Sequence, residues 1–156
     1  MNLLTLLDKD LITMNFKHPY FNEGAIEKLY ADYCKYGTLY IAFDFDNTIW
    51  DFHNYENKYE DNHDAVYWNI VNLLKKCKEY GMKIILWTSC PTQYDELKKY
   101  NLCKTWGIEP DYLNCSPLSP GATKPHFSLL LDDKAGLESA TYILEEVLKR
   151  IENEHI

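Results

Sequence analysis

Short apolar runs alternate with segments of helical periodicity along most of this chain, and that alternation restricts its fold more than any other feature. The runs cover residues 39–45, 83–87, 111–115 and 127–131. They are nearly continuous in apolar residues rather than alternating, as strands of a buried parallel sheet are. Between them, apolar residues recur at three- and four-residue spacing. Residues 62–80 carry Val66, Ile70, Val71, Leu73, Leu74 and Cys77 before Gly81, and residues 92–106 end at Gly107. Residues 135–152 carry Leu137, Ala140, Ile143, Leu144, Val147, Leu148 and Ile151. Ahead of the first run, residues 22–36 set Ala25, Ile26, Leu29, Tyr30 and Tyr33 before Gly37, a residue suited to the left-handed turn that closes a helix. Strands joined through helices read as right-handed βαβ crossovers. The expected fold is α/β, a three-layer Rossmann-like sandwich around a central parallel sheet. Three prolines and a glycine between residues 116 and 125 predict a loop there. Leu3, Leu4, Leu6 and Leu7 suggest a short helix that Pro19 would not let continue.

Composition narrows the class of function. At 156 residues the chain suits one compact domain, and 46% apolar content is too high for a disordered one. No apolar stretch approaches the ~18 residues of a membrane span, and Met1–Asp10 has neither a basic leader nor a long apolar core, so neither membrane nor secretion is expected. Cys34, Cys77, Cys90, Cys103 and Cys115 are odd in number and form no C-x-x-C pair. That usage fits reduced thiols in a cytoplasmic protein better than disulfides or a zinc site. A net charge of −8 repels phosphate backbones, which disfavours a nucleic-acid polymer as partner. A small phosphate ester, or a phosphorylated macromolecule brought to a local site, remains compatible with it.

The ends of the runs carry the chemistry. The first closes in Asp44 and Asp46, with Thr48 beyond; the second closes in Thr88 and Ser89; the last closes in Asp132 and Asp133. In an open parallel sheet such strand ends gather at one edge, where ligands bind. Period two would put Asp44 and Asp46 on one side of the backbone. Carboxylates that close need a shared proton or a cation, and Mg2+ accepts one or two carboxylates together with substrate phosphate. Thr88 and the Ser89 amide would donate to a phosphate, and Lys124, ahead of the last run, would supply a cation.

This combination resembles the haloacid dehalogenase-like (HAD) superfamily. Asp44-Phe45-Asp46-Asn47-Thr48 matches its D-x-D-x-T motif; Thr88 matches its second motif; Lys124 stands for its lysine; Asp132-Asp133 matches its terminal acidic pair. The family often has Gly where Asn47 stands, and Lys134 also flanks the acidic pair, out of the motif's order. The resemblance covers residues 39 to about 150. It leaves residues 1–38 as an N-terminal helical extension to a catalytic domain of residues 39–156. It implies a Mg2+-dependent phosphomonoester hydrolase that forms an aspartyl-phosphate. Asp44 would be the nucleophile and Asp46 the acid and base. Thr88, Ser89 and Lys124 would bind phosphate, and Asp44, Asp46 (through its carbonyl), Asp132 and Asp133 would serve the metal. The stretches where family members insert cap domains, residues 51–61 and 116–125, are short here. An uncapped site would admit large substrates or be covered by a second copy in a homo-oligomer.

Other readings compete. Trp50, Phe52, His53, Tyr55 and Tyr59 would form a flap over a base or sugar, or simply pack on the protein's own surface. Asp133 would alternatively cap the last helix. A receiver-like phospho-switch uses similar groups, but its acidic pair comes first in the chain and its lysine last. A HAD-fold binding or regulatory protein would keep the residues without turnover. The five histidines lack ligand spacing, and Cys90 has no H-C-x5-R frame, so all six read as structural.

Overall fold

The computed structural model describes residues 19–53, 62–121 and 123–154. Helix α1 (Pro19–Tyr36) leads into strand β1 (Tyr40–Phe43). A short 3-10 turn (His63–Ala65) precedes α2 (Trp68–Glu79). Then follow β2 (Lys83–Leu86), α3 (Gln93–Thr105), β3 (Tyr112–Leu113), β4 (Leu129–Leu131) and α4 (Leu137–Glu154). The four strands form one parallel sheet in the order β3-β2-β1-β4, so the architecture is α/β and compatible with a Rossmann-like fold. The short helix expected around Leu3, Leu4, Leu6 and Leu7, like Tyr55 and Tyr59, lies outside the described residues.

Burial explains why the runs become strands. Ile41, Ala42 and Phe43 of β1, and Ile84, Ile85 and Leu86 of β2, are wholly shielded from solvent, as central parallel strands must be. Helices α2 and α3 return to the sheet through tight reversals. At the end of α2, Gly81 adopts φ 77°; its amide donates to Lys78 O, and the Met82 amide reaches back to Cys77 O. The same paired bonds close α3 at Gly107, whose amide donates to Lys104 O while Ile108 donates to Cys103 O. A side chain at either glycine would be strained in this left-handed conformation.

The α4 stripe of Ala140, Ile143, Leu144, Val147, Leu148 and Ile151 is buried as its spacing predicts. Truncating one of its larger members, such as Leu144→Ala, should cost about 2–5 kcal/mol. α1 lies along α4 and adds Ile26 and Leu29 to the same hydrophobic core, so the segment before β1 is joined to the sheet domain by packing.

One helix begins later than its periodicity suggests. Residues 62–80 were expected to be helical throughout, but α2 starts at Trp68. Val66 forms an antiparallel bridge with Trp50, and the Asp51 amide donates to Ala65 O. Pairing with the chain that leaves β1 outcompetes the helix here.

The register aligns the strand ends. Phe43 pairs with Leu86 on one side and Leu131 on the other, and Leu86 pairs with Leu113. The next residue of each strand therefore falls in one row: Asn114, Trp87, Asp44 and Asp132. The ladder extends into it, since the Asp44 amide donates to Leu131 O at 2.9 Å and the Trp87 amide to Phe43 O at 2.8 Å.

Candidate active site

The chain leaving β1 makes a compact loop that aims two carboxylates outward. Phe45 is fully buried and stacks on Trp106, their ring centroids 5.8 Å apart. Its neighbours Asp44 and Asp46 therefore emerge together and line one cavity. The Ile49 and Trp50 amides both donate to Phe45 O, and Asn47 takes up φ 59° at the bend. Asn accepts that left-handed backbone better than most residues. Its Oδ1 accepts the Phe52 amide at 3.2 Å. Thr48 is wholly buried, and its hydroxyl accepts the Asp133 amide at 3.1 Å, tying the β1 loop to the β4 loop.

Across β1 from that loop, β4 delivers the acidic pair. Carboxylate oxygens of Asp44, Asp132 and Asp133 all lie within 4.8 Å of one another. Asp132 Oδ1 also accepts the Lys134 amide at 2.8 Å, so Asp132, rather than Asp133, steadies the turn ahead of α4. Burial, followed by the charges of Asp132, Asp46 and Asp133, pushes the Asp44 carboxyl up to about 6, against a hydrogen bond from the Phe45 amide that pulls it down. Three negative neighbours and partial desolvation make ionisation of Asp44 costly in the absence of a cation.

On the other flank the charge is balanced. Lys99 of α3 is completely buried, and its Nζ donates to Asp46 Oδ2 at 2.8 Å and to Thr88 Oγ1 at 3.0 Å, with Ser89 O at 3.4 Å. Asp46 thus turns its carboxylate toward Lys99 and stands apart from the three clustered carboxylates. Thr88 is buried, its amide held by Asn114 Oδ1 at 2.8 Å, whereas Ser89 is exposed.

The structure does not bring the expected lysine, Lys124, to this cluster. Lys124 is exposed and lines neither cavity that contains Asp44. The reason is topological: a residue ahead of a parallel strand sits at the opposite sheet edge from the residues that follow it. Lys124 precedes β4, and its neighbours Leu118, His126 and Ser128 border a cavity with Thr38 and Tyr40, at the start of β1. Lys134 does line both cavities at Asp44. Lys99, which also lies between Thr88 and the acidic pair but which strand-end reasoning passes over, left one sequence signal. It occupies the buried stripe of α3 with Leu102, Cys103 and Trp106, where a lysine is out of place without a partner.

The proposed aromatic flap divides. Trp50 is a core residue, wholly buried and stacked 5.7 Å from Trp106; Phe52 packs partly against the core; His53 is exposed. Cys90 sits beside Lys99, and burial raises its thiol while that charge lowers it. All five cysteines are free. No described helix is long and apolar enough to cross a membrane. Compared with protein-family models, curated proteins and solved structures, the chain finds no significant match in any of the three.

Proposed function

We propose that this protein is a phosphomonoester hydrolase of the HAD-like class, dependent on Mg2+ and working through an aspartyl-phosphate on Asp44. The observation that carries the reading is the convergence of three carboxylates on one flank of the β1 end with a buried lysine and threonine on the other. That is the division of labour phosphoryl transfer requires: a nucleophile, an oriented acid and base, and ligands for a hard cation.

Asp44, Asp132 and Asp133 suit Mg2+ because they offer only oxygen donors, in a cluster that raises the Asp44 carboxyl. When bound, the ion would favour ionised Asp44 and neutralise phosphate charge. The protein's own groups carry the steps. An Asp44 oxygen attacks phosphorus, the bond to the leaving oxygen breaks, and the Asp46 carboxyl passes its proton to that oxygen, releasing the alcohol. Water then attacks the same phosphorus and gives its proton to Asp46. The bond to Asp44 breaks, and inorganic phosphate leaves. Thr88 stabilises the phosphoryl oxygens, and Lys99, buried beneath the site, acts through its hydrogen bonds by orienting Asp46 and Thr88. Phosphorylated metabolites, nucleotides and phosphopeptides all remain within this reading, in a protein expected to act in the cytoplasm.

Incubation with p-nitrophenyl phosphate tests it. Repeated turnover that needs Mg2+, stops in EDTA and is lost in Asp44→Asn is the expected result. A single stable phosphorylation would point to a phospho-switch instead, and inertness toward every phosphodonor would point to a binding protein.

A further inference from the structure

Asp44 borders two cavities, of about 440 and about 320 Å3, that share Thr88, Ser89 and Lys134. The reacting phosphoryl group, bonded to Asp44, must lie where they meet. What distinguishes them is the rest of their walls. The larger adds Trp87, Asn114 and Asp132. The smaller adds Asp46, with Asn47, Phe52, His53 and Asp133. Proton transfer requires hydrogen-bond reach between donor and acceptor. Asp46 therefore serves only a leaving oxygen on its own side, and the further carboxylate of the larger chamber, Asp132, belongs to the acidic cluster proposed to hold the cation. A third and bigger cavity, of about 610 Å3 between α2 and α4, is excluded, since it lies behind the Thr48–Asp133 hydrogen bond and contains neither Asp44 nor Thr88.

Resting on the phosphomonoesterase reading, we infer that the alcohol portion of the substrate occupies the chamber walled by Phe52 and His53, and that these rings select a planar, aromatic or heteroaromatic leaving group. Phe52 is anchored for this role. Its amide is held by Asn47 Oδ1, its side chain packs on the core, and its ring stands edge-on to His53 with centroids 5.9 Å apart at 70°. Two rings meeting near a right angle leave one face and one edge for a third, the arrangements aromatic groups prefer. The chamber's size, near the lower end of the roughly 300–1,000 Å3 range of ligand pockets, suits a ring system of nucleoside size rather than a folded segment.

The test compares kcat/KM for phenyl phosphate with that for a short alkyl phosphate, both with Mg2+. It uses wild type, Phe52→Leu, His53→Ala and Trp87→Leu, with folding checked by thermal melting. Taking the variant-to-wild-type change in the aryl-to-alkyl ratio cancels the intrinsic reactivity of the two esters. The ratio should fall about tenfold in Phe52→Leu, the scale of one lost ring contact, and less in His53→Ala, while Trp87→Leu leaves it within about twofold. His53, being exposed, keeps the test open should Phe52→Leu fail to fold. A ratio that falls only in Trp87→Leu, or in none of the folded variants, overturns the inference while leaving the hydrolase reading intact. A wild type that hydrolyses neither ester overturns both.

Discussion

The two flanks of the β1 end handle charge in opposite ways. Toward β4, Asp44, Asp132 and Asp133 crowd like charges together, and the middle strand's carboxylate is pushed toward its neutral form. Toward α3, a fully buried ammonium is matched by Asp46 and capped by the Thr88 hydroxyl. One flank is complete as it stands; the other gains from an incoming cation. The contrast is open to attack from either side.

The largest effect should come from Asp44→Asn. It removes the proposed nucleophile, and Mg2+-dependent phosphate release should fall by about 10^4 or more in a steady-state assay. Next comes the balanced flank. Lys99→Met leaves Asp46 facing a site without its counter-charge, so unfolding in urea should show a loss of about 3–5 kcal/mol, against less than about 0.5 for the exposed Lys134→Met. Equal effects from the two lysines would erase the distinction between the flanks.

The crowded flank has its own signature in pH. Because Asp44 is pushed up from 3.8 to about 6, the native state holds its proton more tightly than the unfolded chain does. Its stabilising contribution is thus full at low pH and drains away as pH rises through about 6. In EDTA, denaturation should report a decline of about 1–2 kcal/mol between roughly pH 4 and 7, after allowance for the group's partial exposure. Asp44→Asn should remove that slope, and a slope of the opposite sign would show that the three carboxylates do not repel. Smaller still, Thr48→Val takes away the acceptor of the Asp133 amide and should cost about 1 kcal/mol in thermal melting. Lys124→Ala, at the far edge of the sheet, should leave turnover within about twofold.

The same contrast explains what could be read in advance. The crowded flank is local: Asp44-Phe45-Asp46 and Asp132-Asp133 each end a strand, and the near-continuous apolar runs identify those strands. Parallel pairing of β1 with β4 then brings the carboxylates together without any side chain having to reach far. The balanced flank is not local. Lys99 lies 53 residues from Asp46 and comes from a helix face, so strand-end reasoning passes over it in favour of Lys124, in the loop just before the last strand, although both lysines satisfy the motif order. Treating the buried α3 stripe as a place where a lysine demands an explanation would have found it. Trp50 was ambiguous for a related reason. A tryptophan beside a polar loop can be a flap or a core residue, and only its stacking on Trp106, from a helix end far along the chain, decides.

Phosphorylation of Asp44 during turnover bears most directly on the central claim. Wild-type protein would be acid-quenched while hydrolysing p-nitrophenyl phosphate with Mg2+, and its peptides mapped by mass spectrometry. A phosphate on the peptide that holds Asp44, discharged by hydroxylamine and missing from Asp44→Asn, is the predicted result. Sustained hydrolysis with that peptide unmodified, or with the phosphate on another residue, would contradict the account.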